Sequence, residues 1–246
     1  MSSLRCLFGV VASSTLATTA LEVHAGVVSV IDFEGPVHGT ILSNQFASQG
    51  LANISAVNPN RSFDLAAIFD TTRTGTADPD LEDPWDGGNL PSDLILRNLV
   101  IIAENNTGAG DGVLDNPDDE GNRPAGTLFF DFSRPVTFFG FDVVDIEGVI
   151  QESSRVEFFA GGSSVGSVTF AQFVTFGSPY FDPTVVFGDN FANRIRPIPA
   201  SDFGADGFDR VAVHLGGSAG IDNLIIPAPG AGLALLAGLA LTRRRR

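Results

Sequence analysis

Fourteen of the chain's 29 acidic residues lie between Asp64 and Arg123, about a quarter of its 246 residues. Their types and spacing point to one chemistry, the binding of a hard cation. So many carboxylates in one region repel each other unless they stay solvated or share a positive charge. Asp-Pro, Asn-Pro and Asp-Gly steps recur among them, as at Asp78-Pro79, Asp83-Pro84, Asp111-Gly112 and Asn116-Pro117. Such steps bend the backbone and let short side chains and carbonyls converge. Calcium, with its six to eight oxygen ligands at roughly 2.3–2.6 Å, is held in loops of this kind.

The first candidate ligand set is Asp111, Asp115, Asp118 and Asp119, with Glu120 adjoining and Asn105 or Asn116 supplying carbonyl oxygens. Its spacing does not follow the EF-hand pattern. Asp70, Asp78, Asp80 and Asp83 are placed to join from a facing loop. An acidic loop that stays solvated and holds no ion is the alternative.

Other chemistries find less support. Gly216-Gly217-Ser218-Ala219-Gly220 has the letters of a nucleophile elbow, but that motif needs a helix after the serine. A strand pattern follows here, so the segment is expected to be a hairpin turn. Glycoside hydrolysis needs two carboxyl groups roughly 5–9.5 Å apart, one with a raised pKa. No acidic pair stands among aromatics, and the chain has one Trp and one Tyr. A zinc site lacks ligands, because the only Cys is Cys6 and the His are few. Trp85, among Asp83, Pro84, Asp86 and two glycines, and Tyr180, between prolines, are the candidate sugar-stacking residues. The other reading of each is a ring folded back onto the edge of the fold.

The elements that must position these residues read as strands. Leu51–Val57 and Phe208–Leu215 alternate, Leu94–Ala103 is apolar enough to be buried, and Phe, at 21 residues, crowds Thr127–Phe132 and Val136–Ile146. Ser133-Arg134-Pro135 is expected to break the last two, and Gly161-Gly162-Ser163 to join a hairpin. Val27–Phe33, Leu65–Phe69 and Gly220–Ile226 complete the strand set, and Phe173–Pro199 reads as loop or edge. With no convincing helix and no fixed repeat, the expected fold class is all-β. It is an antiparallel two-sheet β-sandwich, one domain over 26–226 with one hydrophobic core.

Charge and the chain ends bear on location. The net charge of −15 argues against nucleic acid as a partner. Residues 1–25 carry one early Arg5, an apolar run and Val23-His24-Ala25, the pattern of a secretory signal peptide. Residues 227–246 read Pro227-Ala228-Pro229-Gly230, then AGLALLAGLAL, then Arg243–Arg246. The apolar span, residues 231–242, is shorter than the roughly 20 residues of a membrane helix, and the arginines favour the cytoplasmic side.

This ending resembles the PEP-CTERM sorting tail of Gram-negative bacteria, with Ala228 where that family has Glu. The resemblance implies membrane contact before processing and an exosortase-like sorting protease as partner. Export to the cell envelope, outer surface or extracellular matrix would follow.

The body is similar in pattern to the jelly-roll ectodomains that precede such tails. The likeness lies in Asp32-Phe33-Glu34, the stretch from Asn105 to Gly126, FGFDVVDIEG and FDRVAVHLGGSAGIDNL. It implies a structural calcium shared by acids on the first and last strands, here Glu34 and Asp222. The functional expectation is a non-enzymatic, calcium-stabilised protein binding extracellular polysaccharide or matrix partners. A glycan hydrolase or lyase and a purely structural surface component are the alternatives.

Overall fold

The structure is a computed structural model that describes residues 28–148 and 153–228. The signal-peptide reading of residues 1–25 and all of the tail beyond Ala228 lie outside the described residues. In chain order the strands are β1 (Val28–Ile31), β2 (Leu51–Val57), β3 (Ala66–Asp70), β4 (Gly87–Gly88), β5 (Asn98–Ile102) and β6 (Gly126–Val136). They continue with β7 (Phe138–Val144), β8 (Arg155–Ala160), β9 (Ser163–Thr169), β10 (Phe191–Pro199), β11 (Phe208–Leu215) and β12 (Gly220–Pro227). One short helix, α1 (Phe170–Val174), opens with a capping box between Thr169 and Gln172. Among the described residues no helix is long and apolar enough to cross a membrane.

Two sheets form a sandwich. One runs β3-β5-β12-β7-β10-β4, with β1 also paired to β12, and the other runs β2-β6-β11-β8-β9. From β5 to β12 the chain passes between sheets at nearly every connection, as in a jelly roll. All pairings are antiparallel except the two-residue contact of β10 with β4. The first and last strands are tied by a backbone ladder from Val28↔Pro227 to Ile31↔Leu224.

Alternation explains β6: Leu128, Phe130 and Phe132 are buried while Thr127, Phe129 and Asp131 are half-buried on the outer face. The inner faces meet in a core run through by phenylalanines in contact, Phe33 to Phe130 to Phe139 to Phe141 to Phe170. Adjacent ring centroids in this run lie 5.5–6.3 Å apart, within the range of favourable aromatic pairs.

Four expectations are corrected. Ser133-Arg134-Pro135 does not break a strand; β6 runs through it, and β7 then belongs to the other sheet. The tail of Phe173–Pro199 is not loop, because β10 pairs with β7 along its length. Its prolines sit at and beyond the Ile195/Ile198 bulge, next to a two-residue edge partner, so few ladder bonds are lost. Gly216–Gly220 is not a hairpin turn, since it carries the chain from β11 in one sheet to β12 in the other. Nor is there a single core. Phe69, Leu99 and Ile101 on the outer face of the larger sheet pack with Leu81, Trp85 and Leu114 from the acidic loops. That is why β3 and β5 are buried on both faces and read as continuous apolar runs.

The Gly161-Gly162 hairpin is observed as expected. Ala160 pairs with Ser163, and both glycines have positive φ, 60° and 75°, which a two-residue turn of this hand requires.

Candidate metal centre

The acidic loops lie over the outer face of the larger sheet, and they bring Asp78, Asp118 and Asp119 together. One oxygen from each lies within 4.8 Å of the others. Asp78 precedes a short 3-10 turn, Pro79–Leu81, and its amide is held by the Thr76 hydroxyl. Asp118 and Asp119 run beside the end of β5, where the Glu104 amide donates to Asp118 O and Asp119 bridges to Ala103. The β11–β12 connection closes the centre. The Ala219 amide donates to Asp119 Oδ2, and the Ser218 hydroxyl bonds both Asp119 and Asp145.

Asp78 and Asp119 are buried, at 6% and 5% exposure, and their carboxyl groups are in mutual contact. Two carboxylates meet in this way only if a proton or a cation lies between them. No Arg or His forms an ion pair with Asp78, Asp118 or Asp119 among the described residues. Burial raises the pKa of each, and the neighbouring carboxylates add to the shift of Asp118, to about 6, and of Asp119, well above the usual range. Asp145, also buried, is raised to about 7, chiefly by burial.

Glu120, the next residue, shows the opposite arrangement. Burial alone would raise it, yet it is held below the usual range by Asn58, Asn122 and Arg61. A buried carboxylate in this fold is therefore stable where donors surround it; Asp78 takes backbone hydrogen bonds from Asp80 and Asp119, yet its Oδ2 has no hydrogen-bond partner.

The remaining candidate ligands lie elsewhere. Asp80 is exposed; its backbone amide bonds the Asp78 carboxyl group, and its own pKa is raised by burial, with the charges of Asp189 and Asp78 adding. Asp70 ends β3, where Oδ1 accepts from Thr72 and the backbone amide donates to His38. Asp111 closes a local turn onto the Val113 amide, and Asp115 is exposed. Glu34 accepts from the Asn98 amide at 3.4 Å. Asp222 is buried beside Asp142, its two oxygens taken by Asn223. Burial pushes Asp222 well up, with Asp142, Asp32 and Glu34 contributing, so Glu34 and Asp222 do share a neighbourhood.

Sequence reasoning placed Asp78 only as an auxiliary and did not find Ser218 or Asp145. The Asp-Pro step at 78 and the Asp-Asp-Glu run at 118–120 were the available signals.

Trp85 is not a sugar platform. It is 2% exposed, packs in the second apolar cluster and donates Nε1–H to Leu94 O at 2.8 Å. The physical reason is that an indole in an apolar-lined loop gains more from burial, with its single donor satisfied, than from solvent. Tyr180 differs. It lines a cleft of about 420 Å³ between β10 and the loop after α1, with its hydroxyl towards Asp202. Across the cleft, Arg196 Nε lies 2.8 Å from Asp182.

No protein-family model matches this chain, and no curated protein matches it. Among solved structures three chains match it. One is the K2 cleaved adhesin domain of Lys-gingipain, at 12% identity, covering 81% of this chain and 99% of that one with a TM-score of 0.39.

Proposed function

We propose that this chain is an exported β-sandwich that binds polysaccharide outside the cell and carries out no catalysis. The observation that carries the reading is the Tyr180 cleft. An aromatic ring partly packed on the core, flanked by Pro179, stands beside a guanidinium and two carboxylates, Asp182 and Asp202. A pyranose has an apolar face to stack on such a ring and equatorial hydroxyls to bond the charged groups. The cleft's formal charge of about −1 suits a neutral sugar better than a uronate. Phe176, 89% exposed in the same loop and edge-on to Phe181, adds a second aromatic surface.

One carboxylate of the cleft, Asp182, supports binding over hydrolysis. A glycosidase acid needs a raised pKa, whereas Asp182 is held below the usual range, first by the Thr184 hydroxyl and further by Arg196. Of the acids that are raised, Asp78, Asp119, Asp142, Asp145 and Asp222 are buried, and neither these nor the more exposed Asp80 and Asp118 line the Tyr180 cleft. Export rests on the N-terminal pattern and the sorting-tail resemblance.

The test is retention of the protein on neutral polysaccharides and on the producing cell's own extracellular polysaccharide, beside Tyr180→Ala and Arg196→Ala. Retention should fall at least tenfold in Tyr180→Ala. Equal retention by that variant would remove the cleft from the account. Absence of retention on every polymer would leave a purely structural surface protein, and release of reducing ends would mean an enzyme.

A further inference from the structure

We propose that Asp78, Asp118 and Asp119 hold one divalent cation, calcium, which clasps the acidic loops onto the larger sheet. The inference uses residues that do not line the Tyr180 cleft and stands independently of the polysaccharide reading. It relies on export only for the supply of calcium.

Two observations converge. The first is distance. Oxygens bound to a common calcium at roughly 2.3–2.6 Å can be at most about 4.6–5.2 Å apart, and one oxygen from each aspartate lies within 4.8 Å of the others. The second is Asp78, 6% exposed, whose carboxyl group reaches into this group and whose Oδ2 has no hydrogen-bond partner. A buried acceptor left unpaired is costly, more so when charged, and the fold satisfies the adjacent Glu120 with several donors. Backbone amides of Asp80 and Asp119 reach the Asp78 carboxyl group, but no protein donor reaches Oδ2, and a bound cation would supply its partner.

The donor set selects the ion. All three groups offer hard oxygen, and no His or Cys belongs to the cluster, which disfavours zinc and copper. Magnesium demands near-ideal octahedral geometry and keeps most of its water. Calcium tolerates irregular sets and fills its shell with carbonyls, hydroxyls and water.

The placement gives the ion a mechanical task. Asp78 belongs to the loop that carries Leu81 and Trp85, and Asp118–Asp119 follow the loop that carries Leu114. Asp119 is fastened to the β11–β12 connection through Ala219. One cation would thus join both acidic loops to the sheet end and hold the second apolar cluster closed.

The experiment uses the purified full chain, stripped with chelator, with bound metal counted by atomic absorption and melting followed by circular dichroism. Calcium should bind one equivalent at this centre and raise Tm by roughly 5–10 °C at a hundredfold excess over Kd. Magnesium at equal concentration should do less. Asp78→Asn and the more exposed Asp118→Asn should each weaken calcium binding tenfold or more, while Asp111→Asn should bind as the parent does. If Asp78→Asn fails to fold, Asp118→Asn carries the test. A stripped protein that folds, takes up no calcium and melts at the same temperature with calcium or chelator would overturn the proposal in favour of a proton shared by Asp78 and Asp119. Undiminished calcium binding by both variants would overturn it as well, by placing the ion elsewhere. The polysaccharide assay is read separately on Tyr180→Ala, so failure of one proposal is distinguishable from failure of the other.

Discussion

Replacing Arg194 with Met should destabilise the protein by about 2–3 kcal/mol. Arg194 on β10 lies opposite Asp142 on β7, and Asp142 lies opposite Asp222 on β12, so the three form one row across the sheet. Arg194 holds Asp142 with two bonds of 2.7 Å, and Asn223 adds a third of 2.9 Å. Asp142 is 0% exposed, so losing the guanidinium leaves a buried carboxylate with one donor and another acid beside it. Removing one partner of a buried pair costs roughly 3–5 kcal/mol. The Arg194 side chain is 46% exposed, so solvent already screens part of the pair and the lower figure follows. For a domain of this size that corresponds to a Tm lower by roughly 4–12 °C.

The pH dependence has a definite sign. Burial already raises the pKa of Asp142 despite Arg194, and the substitution raises it further. A carboxyl group raised in the folded state favours folding at low pH and loses that contribution as pH rises through the folded pKa. The cost of Arg194→Met should therefore be greater at pH 8 than at pH 5. Reversible urea unfolding at both pH values measures it, beside Asp142→Asn and the double variant. In the Asp142→Asn background the same change should cost less than about 1 kcal/mol, because no charge is left behind. A cost under about 0.5 kcal/mol in the parent, or an equal cost in both backgrounds, would refute the reasoning.

Phe130→Ala should cost about 3–5 kcal/mol in the same assay, since Phe130 is fully buried between Phe33 and Phe139. His214→Gln should cost about 1 kcal/mol at pH 7.5, because the neutral ring accepts from Thr127 at Nδ1 and donates to Glu157 at Nε2. Burial, with Arg155, lowers the His214 pKa, so its contribution is present above the unfolded value of 6.5 and is lost as pH falls through the folded one; the cost should shrink towards pH 5.

Periodicity made most strands legible. β2 and β11 occupy the segments that alternation marks, and Gly161-Gly162 makes the turn that two glycines between β-patterned runs require. These features are local, set by pleat and turn geometry. Composition likewise pointed to a sandwich rich in phenylalanine, and local Asp-Pro and Asp-Gly steps pointed to folded-back acidic loops.

What the tertiary structure decided is non-local. That β10 is a strand despite Pro197 and Pro199 depends on its place beside β7 and near an edge. That Trp85 is buried depends on Leu81, Leu99 and Leu114 meeting over the outer face of the larger sheet. Above all, the acids of the two loops are alike in chain neighbourhood, and only packing separates them. Asp111 and Asp115 stay in solvent and Glu120 is surrounded by donors, whereas Asp78 and Asp119 are driven together under apolar cover. Sequence determines how many carboxylates a loop carries; desolvation, which requires the whole fold, determines which of them have their ionised form disfavoured.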